Sequence, residues 1–247
     1  SGLEATASLD DSSALDDEVT VALEVFDDLT VGSADDSSPQ VATANISQVE
    51  TINVEVGDAE EGSVHNVDLN ADSAETVNVT GGGDANLGFT GGNNNDLETV
   101  DAQEASGDIT FDVSDPDTDV AVTGGTGDDT IVFGGTLDSD DSVVGGDGQD
   151  AVLFESTADT ETPQLTTVEA VQVKSTGAGD VDLRDAGDLN FFRVDGSGTQ
   201  NLTVTEAPDD LSYIFGSANG NVTAAFDNKT FEVELADATG SDDSVSF

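Results

Sequence analysis

The chain has 247 residues, of which 54 are Asp or Glu and only 4 are Lys or Arg, so its formal charge is -50 near neutral pH. Such a charge opposes compaction, and the scattered cations Lys174, Arg184, Arg193 and Lys229 exclude the basic stripe that a nucleic acid would need. Hydrophobic residues still reach 35% and recur in short runs, so the sequence reads as one that folds once its charge is neutralised, not as a disordered acidic tail.

Other absences narrow the class. There is no cysteine, hence no disulfide and no zinc-thiolate site. No apolar run approaches about 18 residues and no cationic leader precedes one, so neither membrane insertion nor a signal peptide is expected. The opening at Ser1 without methionine is read as a processed product or a fragment. No glycine cluster is followed by lysine or a helix start, which removes a phosphate-binding loop. A glycine-rich surface offering only oxygen ligands suits hard cations, above all calcium.

In chain order, residues 1–59 form a less regular start, in which "DDSS" occurs at 10 and 35 and "VTVALEV" (19) and "VETINVEV" (49) read as strands. From residue 60 a repeat takes over. Turns occur at "GGGDAN" (81), "EASGDI" (104), "GGTGDDTI" (124), "GGDGQDAV" (145), "TGAGDVD" (176), "GSGTQNL" (196), "GSANGNV" (216) and "GSDDSV" (240). A second series falls between them at "NADSAET" (70), "GGNNNDLET" (91), "SDPDTDV" (114), "GGTLDSDDSV" (134), "RDAGDLN" (184), "TEAPDDLSY" (205) and "FDNKTFEV" (226). Each gap holds one short strand-like run.

Phe89, Phe111, Phe133 and Phe154 repeat every 21 or 22 residues and are expected to stack as one column. Val77, Val100, Val120, Val143 and Val171 are expected to form a facing aliphatic column. The segment 155–170, "ESTADTETPQLTTVEA", is expected to be an inserted surface loop. Helical spacing is missing and aspartate outnumbers glutamate, as turns require. The fold class is therefore all-β: a right-handed parallel β-solenoid, of β-roll or β-helix type, with about 21–22 residues and two short strands per coil, built as one elongated domain.

Residues 124–132, "GGTGDDTIV", and 145–153, "GGDGQDAVL", each fit G-G-x-G-x-D-x-U-x, where U is a large aliphatic residue, and they begin one coil apart. Glycines allow carbonyls to converge, and Asp129 and Asp150 supply carboxylates at the sixth position. These two nonapeptides resemble the RTX (repeats-in-toxin) family of calcium-binding secreted proteins, over about 30 residues. The resemblance implies calcium between stacked turns, with ligand roles for Gly124, Thr126, Asp129, Gly145, Asp147 and Asp150. Half-coils of about 10–11 residues depart from the family's nine. Asp128 of the first nonapeptide, and Asp96, Asp140, Asp141, Asp108 and Asp84 of degenerate copies, are further candidates for several calcium ions.

Enzyme activity is not expected, because the single histidine, His65, lies in an alternating strand and Tyr213, Arg184 and Arg193 form no cluster with it. Threonine at 126 faces Asp147 one coil on, which breaks an ice-binding ladder at that turn. The mixture of imperfect turns with "VETINV", "AETVNV" and "LETVDA" strands resembles the calcium-dependent surface-layer proteins that bacteria export by type I secretion. That resemblance implies a secreted, extracellular or cell-surface building block of a surface layer or filament. Its partners would be calcium and copies of itself, joined head to tail or in a lattice, and cell-surface polysaccharide is a further candidate. The alternatives are a calcium-stiffened spacer or ligand-binding region of a large RTX adhesin, for ice or glycan, and a non-catalytic RTX module of a polysaccharide-modifying enzyme. Halophilic adaptation is a second source of acidity, but it does not place aspartates in register.

Overall fold

A computed structural model describes residues 4–9, 17–24, 42–58, 64–89, 95–114, 118–156, 160–176, 179–196, 201–208, 211–215, 221–224 and 232–235. The "DDSS" segments at 10 and 35, the turns expected at 216, 226 and 240, the first four residues of that at 91, and Lys229 lie outside these.

The alternation of apolar and polar residues selects strands of period two. In His65–Ala71, for example, His65, Val67, Leu69 and Ala71 are buried while Asn66, Asp68 and Asn70 face outward. Among the described residues there are strands and turns and no helix. The strands wind into a parallel β-solenoid.

One sheet stacks Glu4–Leu9, Glu18–Glu24, Thr51–Val56, Thr76–Gly81, Thr99–Ala105, Ala121–Thr123, Ser142–Val144 and Gln164–Thr166. The opposite sheet stacks Ala42–Ile46, His65–Ala71, Ala85–Gly88, Ile109–Asp112, Thr130–Gly134, Ala151–Ser156, Ala170–Ser175, Phe191–Gly196, Ser212–Phe215 and Glu232–Leu235. All these pairings are parallel except the first, where Glu4–Leu9 runs antiparallel to Glu18–Glu24.

Register lines up the core. In the first sheet Val19, Ile52, Val77, Val100, Val122, Val143 and Leu165 stack in one buried column. Opposite stand Val67, Leu87, Phe111, Ile131, Val152, Val171 and Phe192. Each large side chain taken fully out of water contributes about 1.5–3 kcal/mol.

The columns differ from the expected ones in two ways. Val122 occupies the place expected for Val120, and Val171 belongs to the opposite sheet, so Leu165 completes the first column. The phenylalanines divide between neighbouring rows. Phe111 continues the Leu87 column, whereas Phe89 lies beside Val113 and Val113 beside Phe133 in the next row, as the backbone bonds from Phe89 to Asp112 and from Val113 to Val132 require. A bulge between Val132 and Gly134 then sets Phe154 opposite Gly134.

Residues 155–170 are not an inserted loop. Ala151 pairs with Ala170 only 19 residues on, and Thr160–Glu161 and Gln164–Thr166 are strands, with Glu161, Leu165 and Val168 buried. A third parallel sheet begins here: Thr160–Glu161, Asp180–Asp182, Asn201–Thr205 and Asn221–Ala224. The solenoid therefore gains a third wall. The first wall continues past Leu165 through a bridge to Ala186.

The extra corner rearranges the two turn series. "TGAGDVD" and "GSGTQNL" lead from the second sheet into the third, whereas "RDAGDLN" joins the row of turns that began at 81, through bonds from Asn190 to Glu169 and from Thr167 to Asp188.

Candidate metal centre

The row of turns that feeds the second sheet carries the two nonapeptides. A Cβ on Gly124 would lie 2.1 Å from the Gly145 carbonyl oxygen and 2.6 Å from Asp129 Oδ2, and one on Gly145 would lie 2.1 Å from the Thr167 carbonyl oxygen and 2.4 Å from Asp150 Oδ2. Only glycine fits these corners. Each corner brings together a carbonyl of the next coil and a carboxylate of its own turn.

Two carboxylate ladders climb this row. The inner one is buried: Ile109 donates its backbone N–H to Asp129 Oδ1 (2.8 Å), Asp129 to Asp150 Oδ1 (2.8 Å) and Asp150 to Glu169 Oε2 (2.8 Å). The outer one is exposed and runs the other way. Asp108 donates to Asp84 Oδ1 (3.0 Å), Asp128 to Asp108 Oδ1 (2.8 Å) and Gln149 to Asp128 Oδ1 (2.9 Å).

Asp129 and Asp150 are 0% and 1% exposed, so they are carboxylates in a place where charge is costly. Burial pushes Asp150 up to about 6 against the lowering bond from Asp129 N–H, and the neighbouring charges of Asp129, Glu169 and Asp128 push the same way. Burial also raises Asp129, opposed by the Gly125 and Ile109 N–H bonds, with Asp108 and Asp128 adding to the rise. No side-chain cation relieves either group: the three ion pairs of the described residues are Lys174–Glu155, Arg184–Asp182 and Arg193–Asp195.

The donor set fits a hard cation. It consists of carboxylate and carbonyl oxygens, and Asp150 Oδ2 is buried with no hydrogen-bond partner. No family model, curated protein or solved structure matches this chain. The site is therefore read from its own geometry.

The expected site residues fall into three groups. Gly124, Gly145, Asp129 and Asp150 converge at the buried corners, with Asp84, Asp108 and Asp128 beside them in the outer ladder. Thr126 and Asp147 are exposed at the turn tips and touch the preceding coil through their backbone, Thr126 N–H to Ala105 O (3.2 Å) and Asp147 N–H to Gly125 O (3.0 Å). Asp96 and Asp141 lie instead in the turns that feed the first sheet. There Asp141 is buried, its two oxygens accepting from Val120 and Asp138 N–H at 2.7 and 2.8 Å, and burial raises its pKa against those two bonds.

Asp119, Asp138, Thr167 and Glu169 were not legible in the sequence, whereas Asp140, a degenerate-turn candidate, was. Exposed Asp119, Asp138 and Asp140 gather with one carboxylate oxygen each within 4.8 Å of the others. Asp119 and Asp138 sit in turns of different length, so no motif aligns them. Glu169 and Thr167 occupy the same row of turns as the nonapeptides without any of the nonapeptide's glycines.

His65 is buried and its Nε2 lies 3.1 Å from Gly57 O, a bond that ties one turn to the next strand. Among the described residues no helix is long and apolar enough to cross a membrane.

Proposed function

We propose that the chain is a calcium-dependent, non-catalytic structural element of a secreted or cell-surface assembly. The observation that carries this is the stacking of buried Asp129 and Asp150 one coil apart, each at a corner with a carbonyl oxygen and no basic side chain. Asp129 with the Gly145 carbonyl, and Asp150 with the Thr167 carbonyl, would each hold an ion. Bound calcium supplies positive charge that links adjacent coils and offsets their repulsion.

The size of the effect suits a folding switch. At a calcium concentration 100 times the dissociation constant each site adds about 2.7 kcal/mol, and an ordinary domain is stable by only about 5–15 kcal/mol. A solenoid grows by adding coils, so sheet ends that are not capped pair with the ends of another copy. Such head-to-tail joining gives a filament or lattice strip. Static light scattering of the full chain with and without millimolar calcium tests this: reversible growth in mass with calcium is expected, and a strict monomer at every calcium level contradicts assembly.

A second reading, a glycan-binding region of a larger adhesin, draws on the outer face of the first sheet. Thr51, Thr76 and Thr99 stand in register there, beside Asn53 and Asn78, whose amides are joined by a 2.9 Å hydrogen bond. Retention on insoluble neutral polysaccharide in calcium, abolished by Thr76→Glu, is the result that would favour it.

A further inference from the structure

Gly124 and Gly145 hold equivalent corners, yet their carboxylates are not equivalently satisfied. In the first turn Gly125 N–H donates to Asp129 Oδ2 at 2.7 Å. In the second, the corresponding Gly146, at φ 116°, donates instead to Thr167 Oγ1 at 3.0 Å. Asp150 Oδ2 is thereby left buried and without a partner, on a residue 1% exposed. A buried carboxylate oxygen in that condition calls for a positively charged ligand.

The surroundings of that oxygen come from the next coil. The Thr167 carbonyl oxygen and Asp150 Oδ2 lie against the same point beside Gly145, 2.1 and 2.4 Å from where a Cβ would stand. Glu169 Oε2 accepts the Asp150 N–H at 2.8 Å, which brings a second carboxylate to the same turn. Thr167 holds φ 49°, a left-handed backbone that a β-branched residue adopts only where its surroundings impose it. Asp188 Oδ2 contributes by accepting the Thr167 N–H at 3.0 Å.

We infer that the tightest divalent-cation site lies between the second nonapeptide turn and Thr167–Glu169, one coil beyond the space between the two nonapeptides. Asp150 and the Thr167 carbonyl are its ligands, and Glu169 supplies further negative charge. Neither Thr167 nor Glu169 belongs to the nonapeptide pattern. The first turn, whose Asp129 Oδ2 is already bonded, holds its ion more weakly. The inference rests on the calcium reading above.

Isothermal titration calorimetry of calcium chloride into the chelator-stripped full chain, at fixed sodium chloride, tests it. Wild type is compared with Glu169→Gln, Asp129→Asn and Asp96→Asn, and folding at saturating calcium is checked by circular dichroism. The expected result is that Glu169→Gln weakens the tightest site at least about tenfold, Asp129→Asn weakens it less, and Asp96→Asn leaves it unchanged. Should Glu169→Gln not fold, Glu169→Asp, which keeps the charge and shortens its reach, carries the same comparison. Full affinity in the Glu169 variants with loss in Asp129→Asn would place the ion between the nonapeptides and overturn the inference while leaving the calcium reading intact. No calcium binding by wild type would overturn both.

Discussion

Asp150 Oδ1 accepts the main-chain N–H of Asp129 at 2.8 Å, across 21 residues of chain, so the acid of one coil fixes the backbone of its neighbour. Repeated down the row, this bond gives each turn a built-in negative partner. The turns are thus aligned by the same groups that repel one another.

That arrangement sets a pH dependence for the metal-free chain. Asp150 rises from 3.8 to about 6 in the folded state, so between these values the folded chain keeps a proton that the unfolded chain has lost. The contribution to stability is fully present below the lower value and is lost as pH rises through the upper one, at most about 3 kcal/mol. Asp129 and Asp141 shift in the same direction. In chelator at fixed salt the β signal in far-UV circular dichroism should fall as pH rises from 4.5 to 7.5, where the metal-free chain ends as coil, and saturating calcium should restore it; a β signal that climbs with pH in chelator contradicts this.

The glycine corners make a sharper structural prediction. A Cβ at Gly145 would meet the Thr167 carbonyl oxygen at 2.1 Å, and backbone there has little room to yield. Gly145→Ala should cost about 1–3 kcal/mol by overpacking and also weaken calcium binding. Gly187, with nothing within 4 Å of its Cβ position, serves as the control. Gly187→Ala should be neutral or stabilising by up to about 1 kcal/mol.

Core and face can be separated in one strand pair. Phe111 is buried between Leu87 and Ile131, so Phe111→Ala should cost about 3–5 kcal/mol in calcium-loaded protein. Val132 points outward from the neighbouring strand and Val132→Ala should cost about 1 kcal/mol or less. Denaturant titration of both variants decides it, and similar losses would contradict the assigned faces.

The solenoid was legible because its punctuation is chemical. Glycine and aspartate mark the corners at 81, 104, 124 and 145, and the short apolar runs between them can only be strands. Asp129 and Asp150 could be paired in advance because two full nonapeptides stand one coil apart. The third wall was not legible, since "TETPQLTTV" has no glycine and its strands are two and three residues long. Once a coil has three corners, spacing alone no longer tells which corner a turn occupies, and "RDAGDLN" falls in the row begun at 81, not in the one its spacing suggests. The phenylalanine period hid a shift of two residues, because positions 111 and 113 point inward alike and either can continue the repeat. Thr167 and Glu169 replace a glycine turn by side-chain and carbonyl oxygens, for which the nonapeptide pattern offers no cue.

Completion of this fold by calcium is the proposal on which assembly and the strength of each site depend. Its most direct test is far-UV circular dichroism of the full chain during a calcium titration at fixed high sodium chloride, with magnesium as the control. The expected result is a transition from coil to β structure driven by calcium and not by magnesium. Full β structure in chelator and salt alone would contradict it, and the buried aspartates would then be held by the backbone ladder without an ion.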